Sequence, residues 1–160
     1  MIENKPTIVI GADHAAYDLK ETVKGFLVEM GTEVHDVGTH GKESVDYPDF
    51  GIMVASTVSK GKFKRGILLC GTGIGMSMVA NKFPNVRAAL CNDIFSAVMS
   101  RRHNDANILI LGGRIIGDIL ALEIVKTWVE TPFEGGRHQA RLDKIDGIDQ
   151  KELINSDPDG

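Results

Sequence analysis

Aromatic residues are scarce in this chain: 6% of 160 positions, with a single tryptophan. A flavodoxin-like mononucleotide binder would need aromatic stacking residues near its strand ends. Trp128 falls instead on a helix face that reads as buried. Excess positive charge is also missing. The formal net charge of −4 argues against a nucleic-acid footprint. Two cysteines, Cys70 and Cys91, do not make a disulfide framework, and both are expected to stay reduced in a cytoplasmic setting. No apolar run approaches the roughly 18 residues needed to span a bilayer, and the opening Met1-Ile2-Glu3-Asn4-Lys5-Pro6 has no apolar signal core, so no membrane partner is expected. His14, His35 and His40 have no metal-ligand spacing with His103, and no metal is predicted. Neither the Walker pattern nor an open Gly-x-Gly-x-x-Gly fingerprint is present.

What remains is ordinary globular composition, 42% apolar and 25% charged, in a chain long enough for one core and one domain. Residues 1–148 are expected to form that domain, with 149–160 as a partly flexible polar tail. Strand-length apolar segments alternate with helix-period ones. Thr7–Ile10, Thr32–Val37, Ile67–Leu69, Val86–Leu90 and Ile108–Leu111 read as strands. Between them, Leu19, Val23, Phe26 and Leu27 recur at helical spacing before a closing Gly31. Pro48 can start a second helix with Phe50, Met53, Val54 and Val58 inward. The third helix runs through Met78 and Ala80. Asn92 can cap a fourth with Phe95, Val98 and Met99 inward. Ile124, Val125, Trp128 and Val129 mark a fifth, and a last helix from about Gly136 carries Leu142 and Ile145. This alternation predicts a three-layer α/β/α sandwich around a Rossmann-like, five-stranded parallel sheet in a single domain.

Ligands of such sheets bind at the carboxyl ends of the strands. That rule selects Asp13-His14 after strand one, Cys70-Gly71-Thr72-Gly73-Ile74-Gly75 after strand three, and Arg114 after strand five. The glycine run puts a nucleophilic sulfur beside free backbone N–H groups, whose field attracts anions and favours thiolate. A base beside an anion hole is what carbonyl chemistry requires; inert packing of the cysteine is the plainer alternative. Asp13 can equally be a helix cap, with His14 a solvated first-turn residue. His103, with Asn104, follows a helix; it either complements the helix dipole or serves as an acid/base. Arg137 and Arg141 stand four apart at a helix start, as a phosphate clamp or a solvated basic face. Asp46, Tyr47 and His138 are candidate pocket-edge residues.

These segments, together with Ala80-Asn81-Lys82, occur in an order and spacing that resembles the ribose-5-phosphate isomerase type B family, grouped with galactose- and allose-6-phosphate isomerases. The resemblance covers roughly residues 7–148 and rests on the ordered set. It implies interconversion of ribose 5-phosphate and ribulose 5-phosphate through an enediolate, without metal or organic cofactor. It further implies Cys70 as the proton-transfer base and His103 as the ring-opening donor. Asp13, His14, Asn104 and the Gly71–Gly75 backbone would hold the sugar, and Arg114, Arg137 and Arg141 the phosphate. Relatives with Glu as base carry it near the start of the glycine-loop helix, where this chain has Gly75-Met76-Ser77. A hexose-phosphate isomerase on the same scaffold is the alternative, then a non-catalytic sugar-phosphate sensor.

Topology adds an expectation. Asp13 and Cys70 follow strands, whereas His103 and Arg137 follow helices and belong at the opposite sheet edge. A site shared between two subunits of a homodimer, or of a tetramer built from it, is therefore expected, while Arg114 could serve either side.

Overall fold

Along the central strands, alternate side chains go to opposite faces, and both faces are apolar. Ile8, Ile10, Ile67, Leu69, Leu109 and Leu111 enter one core, while Val9, Leu68, Cys70, Ile108 and Ile110 enter the other. A sheet with two apolar faces must be covered on both, and the helices do this. The structure, a computed structural model, describes residues 6–148; the expected tail at 149–160 lies outside them.

The strands are β1 (Thr7–Ala12), β2 (Glu33–Asp36), β3 (Arg65–Cys70), β4 (Ala88–Leu90) and β5 (Ile108–Gly112). All pairings are parallel, in the order β2-β1-β3-β5-β4. The helices are α1 (Tyr17–Glu29), α2 (Tyr47–Ser59), α3 (Ile74–Ala80), α4 (Ile94–Arg102), α5 (Asp118–Glu130) and α6 (Arg137–Asp146). Helices α1, α4 and α5 cover one face around the fully buried Trp128; α2 and α3 cover the other. The predicted α/β/α sandwich is thus the observed one. Among the described residues, no helix is long and apolar enough to cross a membrane.

Several helix faces differ from their sequence reading. Asp93, not Asn92, caps α4, its carboxylate accepting from the Ser96 N–H at 2.7 Å. The inward residues of α4 are Ala97, Ser100 and Arg101, and Phe95 is 71% exposed. Arg101 takes the inner position because its guanidinium bonds Asp105 and the carbonyls of Ala106 and Thr131. Met53, Met78 and Ile145 also face outward, while Met76 and Ala80 fill the inner side of α3. Where apolar residues lie on more than one side of a helix, periodicity alone does not say which side faces the sheet.

Candidate active site

Beyond β1 the chain turns one way to β2, and β3 lies on its other side. The crevice at that reversal is where open α/β sheets take ligands. The β1 and β3 turns meet there. The Asp13 N–H donates to the Leu69 carbonyl at 3.2 Å. The Asp13 carboxylate accepts from the N–H groups of Ala15 (3.0 Å) and Ala16 (3.3 Å), capping a short 3-10 turn, His14–Ala16. The capping alternative therefore holds for the side chain, which is 7% exposed. His14 is half-buried, and its Nδ1 accepts from the Val45 N–H at 3.1 Å. That contact assigns the ring proton to Nε2.

Cys70 ends β3, buried on the α2/α3 side, and its Sγ accepts the Gly73 N–H at 3.2 Å. Gly73 makes this turn possible with φ +78, and a Cβ there would lie 2.5 Å from Leu90 Cδ1. Arg114 joins this edge: its N–H donates to the Gly71 carbonyl at 2.9 Å, and a methyl on Gly71 would meet Arg114 Cδ and Nη1 at 3.5 Å. Arg114 therefore belongs with Cys70 of its own chain. Tyr47 lies over the loop so closely that a Cβ on Gly75 would be 2.5 Å from its ring. Asp46 precedes α2 without a side-chain capping bond.

The second cluster gathers elsewhere. His103 caps the end of α4 with exposed Asn104 beside it. The Glu134 N–H donates to the Arg102 carbonyl, which brings the start of α6 alongside. The rings of His103 and His138 stack with centroids 4.2 Å apart, and His138 Nε2 lies 3.5 Å from Glu134 Oε2. Burial, then the neighbouring His103 and Arg137, pushes the His138 imidazole below its ordinary range, against the opposite pull of Glu134. His138 is therefore grouped with His103, whereas the other pocket-edge candidates, Asp46 and Tyr47, lie at the Cys70 loop. Arg137 and Arg141 project from the exposed side of α6.

The sheet keeps the clusters apart. Gly66 pairs with Ile108 at its amino edge and Cys70 with Gly112 at its carboxyl edge, a rise of ~13 Å, and His103 lies five residues before Ile108. Asn104 accordingly sits with His103 and not with Asp13 and the glycine loop.

Arginine use separates anchors from free cations. Arg65, Arg87, Arg101 and Arg102 hold carbonyls or carboxylates of this chain. Among the described residues, Arg114, Arg137 and Arg141 make no ion pair and remain available to an external anion. Burial pushes the Cys91 thiol up to about 11, which leaves it as packing. Glu134 was missed by sequence reasoning, although its placement four residues before His138 was a readable signal.

A parallel α/β sheet covered on both faces, with a buried cysteine in a glycine turn at the switch point and three arginines outside any ion pair among the described residues, has the architecture of α/β proteins that take small ligands at their strand ends. The sequence model of the Ribose/Galactose Isomerase family matches residues 8–145. Ribose-5-phosphate isomerase B of Escherichia coli is 46% identical over 144 residues, covering 90% of this chain and 97% of that protein. The D-erythrulose-4-phosphate isomerase of Pectobacterium atrosepticum is 44% identical over 147 residues, 91% of this chain and 97% of its own. The solved Clostridium thermocellum ribose-5-phosphate isomerase B superposes with TM-score 0.87 at 53% identity, covering 94% of this chain and 99% of that one. The chain belongs to the ribose/galactose isomerase family.

Proposed function

We propose that this chain is an aldose–ketose isomerase that interconverts D-ribose 5-phosphate and D-ribulose 5-phosphate. The observation that carries the reading is the Cys70 sulfur, seated in the glycine turn with the Gly73 N–H on it, in a chain of this family. The Cys70 thiolate removes the C2 proton of the open-chain aldose; the electrons move into the C1–C2 bond and onto the carbonyl oxygen. A proton passes from the C2 hydroxyl to O1, and return of the abstracted proton from Cys70 to C1, as the C2–O bond becomes the carbonyl, gives the ketose. Backbone N–H groups of the Gly71–Gly75 turn that Cys70 and Thr72 do not already hold, together with the His14 Nε2–H, stabilise the enediolate, and Asp13 fixes the turn that carries His14. His103 and Asn104 act on the ring oxygen and hydroxyls, and Arg114, Arg137 and Arg141 hold the phosphate.

The active site is shared between two copies: Cys70, Asp13, His14 and Arg114 of one, and His103, Arg137 and Arg141 of the other. The opposite edges of the two clusters support this. So do the exposed apolar residues Ile52 and Met53 on α2 and Ile74 and Met78 on α3, neighbouring helices whose outer sides suit burial against a second copy. The functional unit spans residues 1–148 and works in the cytoplasm, where Cys70 and Cys91 stay unpaired.

The test is isomerisation of ribose 5-phosphate by the wild type and by Cys70→Ala, with ligand binding measured in both. Loss of about 10²–10⁴ in kcat with affinity retained is expected for removal of the base. Unchanged turnover in Cys70→Ala would remove the thiol from the mechanism. Tetrose and hexose phosphates assayed alongside measure the pocket's selectivity for chain length; one carbon is typically worth about 1–3 kcal/mol. A wild type that binds pentose phosphate but turns over none of them would instead be a sensor.

A further inference from the structure

We propose that His103, Glu134 and His138 form a binding site for a divalent transition metal such as zinc, and that a metal bound there inhibits the enzyme. The donor atoms of the three residues lie within 4.8 Å of one another. The donor set is two imidazoles and a carboxylate, which suits zinc, copper or nickel and is poorly matched to magnesium or calcium.

Two of the three donors already stand at the separation of zinc ligands. At Zn–N and Zn–O distances near 2.0–2.1 Å, the ligand atoms of a tetrahedral site are ~3.3 Å apart. His138 Nε2 and Glu134 Oε2 are already separated by 3.5 Å. The His103 ring must rotate out of its stack on His138 to aim a nitrogen at the same point, a change of side-chain rotamer that its half-buried position at the end of α4 leaves open. His138 is the fixed member, with 6% side-chain exposure, while Glu134 is 47% exposed and gives the ion a route in from water. The fourth position stays open to water.

The surrounding charges set the strength. Arg102 lies 3.6 Å from Glu134 Oε1, leaving Oε2 on the side of His138. Arg137 and Arg141 oppose a cation, and their exposure lets solvent screen that repulsion. The result is a site for an added metal, not a resident one.

The inhibitory consequence rests on the role proposed above for His103. The His103 nitrogen that donates to the ring oxygen carries no proton while it is bound to zinc, so catalysis stops until a chelator removes the ion.

The experiment is zinc titration of chelator-stripped wild type, Glu134→Gln and Cys70→Ser by calorimetry, with magnesium in excess, followed by isomerase assays over the same zinc range. One zinc per chain is expected in the wild type and in Cys70→Ser. Glu134→Gln should bind roughly 10–100-fold more weakly and lose inhibition in parallel, while keeping its zinc-free activity. Binding that survives Glu134→Gln and disappears in Cys70→Ser would overturn the proposal, and so would no binding at micromolar zinc. Binding lost in Glu134→Gln without any inhibition in the wild type would uphold the metal site and refute both the inhibition and the assigned role of His103.

Discussion

The two edges of the sheet carry two different kinds of chemistry. At the carboxyl edge, Asp13, His14, the Cys70–Gly75 turn and Arg114 are set by strand ends and backbone contacts. Gly73 adopts a left-handed conformation with Leu90 directly against it, and Cys70 is 4% exposed. At the amino edge, His103, Arg137, His138 and Arg141 sit at helix ends, with both arginines exposed. The first kind suits a base that must be held still and shielded from water. The second suits a clamp that must reach a mobile, charged group. A parallel sheet puts the ends of its strands and the ends of the crossover helices on opposite edges, which keeps the two clusters apart within one chain. A second copy, related by a two-fold axis, would bring each half to its complement.

The largest effect that could break this comparison is complementation. Cys70→Ala and His103→Ala are each expected to lose about 10²–10⁴ in activity. In a reassociated equimolar mixture, half of the dimers carry one chain of each kind and one intact site. About a quarter of wild-type activity should return, as a two-fold shared site requires. An assay of the mixed, refolded variants decides it: no recovery would put both residues in a site within one chain.

A smaller effect sharpens the division of labour. Arg137→Ala removes the phosphate contact proposed for this arginine without disturbing any ion pair among the described residues. Charge-assisted hydrogen bonds contribute about 1.5–3 kcal/mol, so KM should rise roughly 10–100-fold with kcat much less affected. Steady-state kinetics checks this, and an equal fall in kcat would show that the clamp acts on the chemistry as well.

The smallest effect concerns pH and belongs to one edge only. Asp36 supports the carboxyl-edge loops: its carboxylate accepts the Gly38 N–H, and the Gly38 carbonyl accepts from Ala12. Burial alone would raise the Asp36 carboxyl, but hydrogen bonds from Lys20, Lys24 and Gly38 outweigh it and hold the group below the usual range. Bonds from Lys24 and Lys20 likewise lower Glu21. Carboxyls depressed by folding stabilise above their unfolded pKa, near pH 4, and that contribution fades as pH falls from about 5. Each titrating group can contribute no more than about 1.4 kcal/mol per pH unit. Urea unfolding between pH 6 and pH 3.5 should show a shallower decline in Asp36→Asn than in the wild type. Equal slopes would place the acid sensitivity outside this cluster.

Much of the molecule was readable from residue order. The strand–helix alternation, Gly31 at the end of α1, Pro48 at the start of α2 and Trp128 in the core all follow local rules of period and capping. The side of α4 that faces the sheet was not readable. Phe95 looked like core, but the position facing the sheet went to Arg101, held there by the distant carbonyls of Ala106 and Thr131. Outward-facing Met53, Met78 and Phe95 are apolar for a reason that lies outside a single chain's core.

The candidate site divides along the same line. Sequence by itself determined the chemistry available: one cysteine in a glycine turn, and arginines at 114, 137 and 141. Spacing along the chain is enough for that, because turns and helix starts are local. Only the tertiary structure decided the grouping. It put Arg114 against Gly71, stacked His138 on His103, added Glu134 to that pair and left Asn104 at the edge away from Cys70. Those contacts depend on strand order and sheet polarity, which arise from packing between segments far apart in the chain and have no signature in any one of them.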